Sequence, residues 1–376
     1  MRKIANAAAS VCMAGAVGLT LTPAPATSQG ATAVELKTSH EGNIHYPQMN
    51  DDGTKVAYEV NYPAEKRTEL YWSGMTPRAL SGSPELLVPE SMGAPSRYGG
   101  GGKRITHMFS FAKSGSQYPY AYTVNNAEGV QQIYINNWPY LIDKEADSVN
   151  KEPAWDPTSE RFVFTSNRTG NGDLYLWDAA QGGEPLQLTF DEVHAELYPN
   201  WAPDGSKVAF VAAGKGESQV MVLDVNLFSS VKITNMSGAD STRPSFSPDG
   251  SRIAFLSNKG MSSVQEFSLW VTDARPGSTA RKIGDKVKLP SKGAPSWTPD
   301  GKGVIAVVDD PDQSDPIAIF PVDGGAPRVL PTGTVNNRDP QMKVIDGTWR
   351  MVFTSQGLDA KAEKEFYKLF VYDIPR

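Results

Sequence analysis

Four histidines hold most of this chain's latent chemistry: His40, His45, His107 and His194. His45 lies two residues before Pro47, and His107 two before Phe109. Those positions are equivalent in an internal repeat, which would bring two imidazoles to neighbouring places on one surface. Two imidazoles beside a carboxylate could hold a borderline divalent cation. Lys151, Leu197, Thr242, Gly293 and Arg338 fill the corresponding place elsewhere in the repeat. Glu152, Arg243 and Asp339 stand beside them, with His194, Glu196 and Asp240 close by. One reading is a polar channel mouth that binds a cation, a sugar acid or a peptide terminus, with His45 and His107 as the metal candidates. The other is a wet channel, lined by polar groups whatever the function.

Other chemistry finds less support. The only cysteine, Cys12, precedes residue 26, and no G-x-S-x-G elbow occurs, so no activated nucleophile is expected. Tyr98-Gly-Gly-Gly-Gly-Lys103 lacks the spacing of a phosphate-binding loop and reads as a loop over one face. Asp309-Asp310-Pro-Asp312-Gln-Ser-Asp315 lacks the central Gly and final Glu of a calcium loop and reads as a solvated hairpin. The expectation is a binding module and not an enzyme. It needs no cofactor, and a channel-bound cation is the one exception the sequence leaves open.

What positions these residues is a repeat. Pro47-Gln-Met-Asn-Asp-Asp-Gly53, Pro153-Ala-Trp-Asp-Pro157, Pro199-Asn-Trp-Ala-Pro-Asp-Gly205, Pro244-Ser-Phe-Ser-Pro-Asp-Gly250 and Pro295-Ser-Trp-Thr-Pro-Asp-Gly301 share one pattern. Degenerate copies begin at Phe109 and Pro340. The intervals are 62, 44, 46, 45, 51 and 45 residues, close to the spacing of four-stranded propeller blades. Each turn leads into a β-rich run such as Lys207-Val-Ala-Phe210 or Arg252-Ile-Ala-Phe255, and two more short runs follow. In the turns, Asp can bond its own downstream backbone, and Gly takes the positive φ that other residues resist. The Trp or Phe four residues before the Gly should fill the wedge between blades.

The pattern predicts an all-β fold of seven blades with four antiparallel strands each, or six blades if residues 103–147 are only an insertion. The last copy ends after its third strand, at Lys368-Leu-Phe-Val-Tyr-Asp373, whereas Val34-Glu-Leu-Lys-Thr38 resembles a fourth strand. The N-terminal strand should therefore complete the last blade and close the ring, which removes the free strand edges.

Before that strand, Arg2 and Lys3, the apolar run Ala14 to Leu21 and Ala24-Pro25-Ala26 read as a cleaved export signal over residues 1–26. A single propeller over 31–376 follows. Removal of the signal leaves 34 basic against 42 acidic residues, a net charge of −8. That balance argues against nucleic acid and anionic membrane as partners. Without cysteines the exported chain must be held by packing, as suits a periplasmic or secreted protein.

The repeats resemble those of the TolB C-terminal propeller, most closely at Phe164-Thr-Ser-Asn-Arg-Thr-Gly-Asn-Gly-Asp-Leu-Tyr175 and Ser245 to Phe255. The likeness implies a WD40-like (PD40) propeller, without the α/β domain that TolB carries before it. The resemblance implies a monomeric periplasmic scaffold that binds a protein of the cell envelope and does not enter the membrane. The alternative is a carbohydrate-active or metal-dependent propeller enzyme working at the channel. Oligogalacturonate lyase, a related propeller enzyme, has a histidine-rich metal site, and the H-x-H spacing that would support one is missing here.

Overall fold

Four Asp-Gly corners close as their chemistry requires. Asp52, Asp204, Asp249 and Asp300 accept the backbone N–H two residues on, at 2.9, 3.0, 3.0 and 3.0 Å. The glycines that follow hold φ of +67, +70, +72 and +67°. At Asp249, the Ser247 hydroxyl and the N–H and hydroxyl of Ser251 hold the carboxyl down to about 2. These corners turn the innermost strand of a blade into its neighbour.

The computed structural model describes residues 32–87, 106–117, 119–125, 130–135, 140–141, 148–181, 184–312, 314–357 and 366–375. The segment expected to be an export signal, residues 1–26, and the glycine run lie outside them. The described strands form seven four-stranded antiparallel sheets. The innermost strands are Asn43–Met49, Thr106–Phe111, Asn150–Trp155, Ala195–Trp201, Ser241–Phe246, Ser296–Trp297 and Arg338–Ile345. The weakest copy is a complete second blade, with strands Thr106–Phe111, Tyr120–Asn125, Gln131–Ile135 and Tyr140–Leu141. Seven blades are present, not six.

Val34–Glu35 pairs antiparallel with Lys368–Asp373 as the outer strand of the last blade, Val34 against Val371 and Glu35 against Phe370. The N-terminal strand closes the ring. Leu36 carries the seam, packing among Val352, Leu369 and Val371 of the last blade and Ile44 and Val56 of the first.

The inner aromatics fill the wedges between blades. Trp201 packs against Val163, Leu174 and Leu176 of the preceding blade, and its Nε1–H donates to Ala154 O at 2.8 Å. Trp297 does the same one interface later, donating to Ser245 O at 3.1 Å. In every blade but the third, a polar side chain one residue after the repeat proline, or after its equivalent Phe109, latches neighbouring inner strands together. Gln48 donates to Phe109 O, Ser245 to Pro295 O and Ser296 to Pro340 O, at 3.1, 2.8 and 3.2 Å. Ser110, Asn200 and Gln341 accept the N–H groups of Trp155, Phe246 and Met49, at 3.2, 2.9 and 2.8 Å. The last of these crosses from blade seven to blade one.

Candidate functional site

The repeat proline sits on the inner edge strand, where its missing N–H must fall outside the hydrogen-bond ladder. The ladder is broken at that place. Register slips by one residue between His45 and Gln48, Thr106 and Phe109, Lys151 and Ala154, Leu197 and Asn200, Thr242 and Ser245, and Arg338 and Gln341. A β-bulge re-aims the residue it releases. That residue stands directly before the proline, and in five blades it is an L-residue in the left-handed region: Tyr46, Glu152, Tyr198, Arg243 and Asp339, with φ from +48 to +60°. Left-handed backbone at a residue preceding proline is disfavoured, yet the fold imposes it five times at one register position.

These five side chains, with Met108 and Ala294 at the same position in the other two blades, line a cavity of about 510 Å³ in the channel. The repeat prolines Pro47, Pro153, Pro199, Pro244, Pro295 and Pro340 also face it. Glu152 accepts the Tyr198 N–H at 2.6 Å, and Asp339 accepts the Tyr46 N–H at 3.2 Å. An acid at this position therefore reaches the backbone of the next blade. Asp339 also accepts the N–H and hydroxyl of Ser291 at 2.7 and 2.5 Å. Arg243 lies 4.3 Å over the Tyr198 ring and donates to the backbone oxygens of Lys292 and Ser291. Beside the cavity the buried Glu59 pairs with Lys292. Burial pushes the Glu59 carboxyl up to about 7, with Lys292 pulling it back.

The residues singled out from sequence divide into two groups. Glu152, Arg243, Arg338 and Asp339 line the cavity together. Lys151 lies 3.6 Å from Glu152. His45 is not among the residues that line the cavity; its ring lies 5.8 Å from Tyr367 and its Nδ1 is buried without a partner. Burial lowers its pKa, with Asp339 partly opposing that. His107 occupies the equivalent register on the second blade's inner strand, and its side chain lies outside the described residues.

The other three stand elsewhere. His194 is in the connection between blades three and four, bonded to Asp191 at 2.8 Å. Glu196 is turned into the protein, where it accepts from the Thr189 hydroxyl and from Leu174 N–H at 3.2 Å. Asp240 is exposed and bonded to the Ser218 hydroxyl at 3.2 Å. Among the described residues no group of three or more His, Cys, Asp or Glu side chains is placed to hold a metal ion. The acidic loop also departs from expectation: Asp315 is buried 2.7 Å from Lys288, and Asp309 faces the cavity. Asp309 and Asp315 are tied to Lys288 and Asp310 accepts from the Ser314 hydroxyl, whereas Asp312 stays exposed.

Sequence reasoning missed Tyr46 and Tyr198. Side-chain type gives no signal, since Tyr, Met, Glu, Arg, Ala and Asp share nothing. The signal is positional: a proline in an inner strand demands a bulge, and a bulge expels the residue before it.

Residues 190–336 match the family model described as the TolB beta propeller domain. Over that stretch the chain carries TolB-type propeller repeats. The Tol-Pal system protein TolB of Bordetella pertussis is 30% identical over 151 residues, which cover 40% of this chain and 32% of that protein. The chain thus spans about a third or less of the length of the curated relatives it matches. Two solved structures share the fold alone. A puromycin hydrolase mutant complexed with PGG has a TM-score of 0.63 at 12% identity, over 92% of this chain and 55% of that one. An oligogalacturonate lyase in complex with manganese has a TM-score of 0.59 at 13% identity, over 92% of this chain and 97% of that one. Among the described residues no helix is long and apolar enough to cross a membrane.

Proposed function

We propose that this TolB-type propeller is an exported, periplasmic scaffold without catalytic activity, whose channel face binds another protein of the cell envelope. The observation that carries this reading is where the apolar surface lies. Second-to-third-strand hairpins and blade-to-blade connections open onto the same face of the ring. On that face stand Phe190, Val193, Val264, Leu289 and Phe366, five of the ten large exposed apolar side chains among the described residues. Leu289 also borders the cavity. Single exposed apolar residues are ordinary, but several on the one face that carries the cavity's rim are what a protein partner would cover. The relatives' description as Tol-Pal system proteins supports the same reading.

Capture from envelope extract tests it. Wild type should retain a partner that the triple variant Phe190→Ser/Val264→Ser/Phe366→Ser loses. The control Leu227→Ser/Phe228→Ser, on a third-to-fourth-strand hairpin of the opposite face, should keep it. Equal capture by both variants, or no partner for the wild type, would contradict the proposal.

A further inference from the structure

The acids of the channel cavity already have donors, and its arginines lack acids. Glu152 holds the Tyr198 N–H with Lys151 nearby, Asp339 holds three donors, and Asp309 lies 3.5 Å from Lys288. Arg243 is only 9% exposed, yet it forms no ion pair among the described residues. Two backbone oxygens and the Tyr198 face fix its guanidinium, and its Nε has no partner. Carbonyl oxygens orient a cation but leave its charge uncompensated. Arg338 lines the same cavity, lies 4.9 Å over the Tyr367 ring and likewise has no ion pair among the described residues. A guanidinium taken out of water is stable only when an anion offsets its lost hydration. This cavity holds one such cation, rigidly placed, and a second at its wall.

We propose that the channel cavity is a binding site for an organic carboxylate, recognised by Arg243 with Arg338 assisting. The planar fork of a guanidinium matches a carboxylate. A phosphate dianion would face Glu152, Asp339 and Asp309 in the same wall, so a monoanion fits the charge balance better. The volume, the tyrosines and the proline rings give the ligand room and an apolar bed for its body. The carboxylate has two chemical sources, the C-terminus of a partner chain or a free organic acid such as a uronic acid. The inference does not require the partner to be a protein, so it survives if envelope capture fails.

Titration calorimetry on the mature chain tests it with three probes: N-acetyl-trialanine, its C-terminal amide and D-galacturonate. At least one acid should bind and the amide should not. Arg243→Gln should weaken acid binding about tenfold or more, as the loss of one charged hydrogen-bonded contact implies. Should Arg243→Gln fail to fold, the exposed Arg338→Gln provides the second reading, with weakening in the same direction. Binding of the peptide acid alone identifies a chain terminus, binding of galacturonate alone a free acid, and binding of both a site for either. Equal binding of acid and amide, unchanged affinity in a folded Arg243→Gln, or no binding of either acid would overturn the proposal.

Discussion

Leu36→Ala perturbs the seam of the propeller without touching its hydrogen bonds. Leu36 is 1% exposed and bridges the last blade to the first, while its N–H donates to Leu369 O at 2.8 Å. The substitution keeps that backbone bond and removes the isopropyl group beyond Cβ. Transfer of the lost carbons accounts for about 2 kcal/mol. The cavity left at a seam made of two blades raises the total toward about 3 kcal/mol, inside the usual span of about 2–5. With an unfolding entropy of about 2.1 cal/mol/K per residue, a chain running from residue 32 to the C-terminus has about 0.7 kcal/mol/K, so the melting point should fall by about 4 °C. Leu227→Ala is the control, because Leu227 is 74% exposed on a hairpin of the opposite face. Its effect should stay within about 0.5 kcal/mol. Scanning calorimetry of both variants and the wild type decides the matter, and deletion of residues 31–38 should cost more than Leu36→Ala. If Leu36→Ala melts together with Leu227→Ala, the N-terminal strand does not hold the ring shut and the closure argument fails.

Three further outcomes follow from particular contacts. A Cβ at Gly205 would lie 2.7 Å from the buried Asp156 carboxylate and 2.6 Å from the Thr158 hydroxyl, whereas one at Gly250 would meet only Pro203 at 3.6 Å. Both glycines hold positive φ, so urea unfolding of Gly250→Ala should show a loss of about 1–2 kcal/mol. Gly205→Ala should lose at least about 1 kcal/mol more, and equal losses would mean that Asp156 yields freely. Burial raises the Glu196 carboxyl to about 7 from an ordinary value of 4.5, against hydrogen bonds from Thr189 and Leu174. The folded protein therefore holds this proton more tightly, and the associated stability is complete below about pH 4.5 and lost as pH rises through about 7. Glu196→Gln should thus be near neutral at pH 5 and stabilising by up to about 3 kcal/mol at pH 8, and melting curves with the same difference at both pH values would refute this. Trp201→Phe keeps most of the wedge packing but leaves the Ala154 oxygen without its donor. It should lose about 1–3 kcal/mol by urea unfolding, whereas wild-type stability would show that bond to be idle.

The architecture was legible because its turns need specific residues. Asp and Gly recur where one side chain must cap the backbone and one residue must take positive φ, and Trp201, Phe246 and Trp297 recur where blades diverge. Even the closing strand was readable, since a ring missing one outer strand at its C-terminus must find it elsewhere. The site was less legible. His45 and the residue after it differ by one position, yet the bulge turns Tyr46 into the cavity and leaves His45 out of its lining. Glu196 is three residues from Pro199, but strand alternation and the pull of Leu174 N–H and Thr189 take it into the protein. Arg243 was visible as a charge near the channel. Its isolation from any acid was not, because that depends on where Glu152 and Asp339 find their donors.

The central claim is one closed ring, because only closure brings seven inner strands, six of them bulged, around a single channel. Native-state hydrogen exchange at Leu36 and Ile44 tests it most directly, since their N–H groups donate to Leu369 and Tyr367 across the seam at 2.8 and 2.9 Å. Closure predicts that both amides exchange only through global opening, with the same free energy as core amides such as Phe353. Exchange of Leu36 near the rate of an unprotected chain, while Phe353 stays protected, would contradict it.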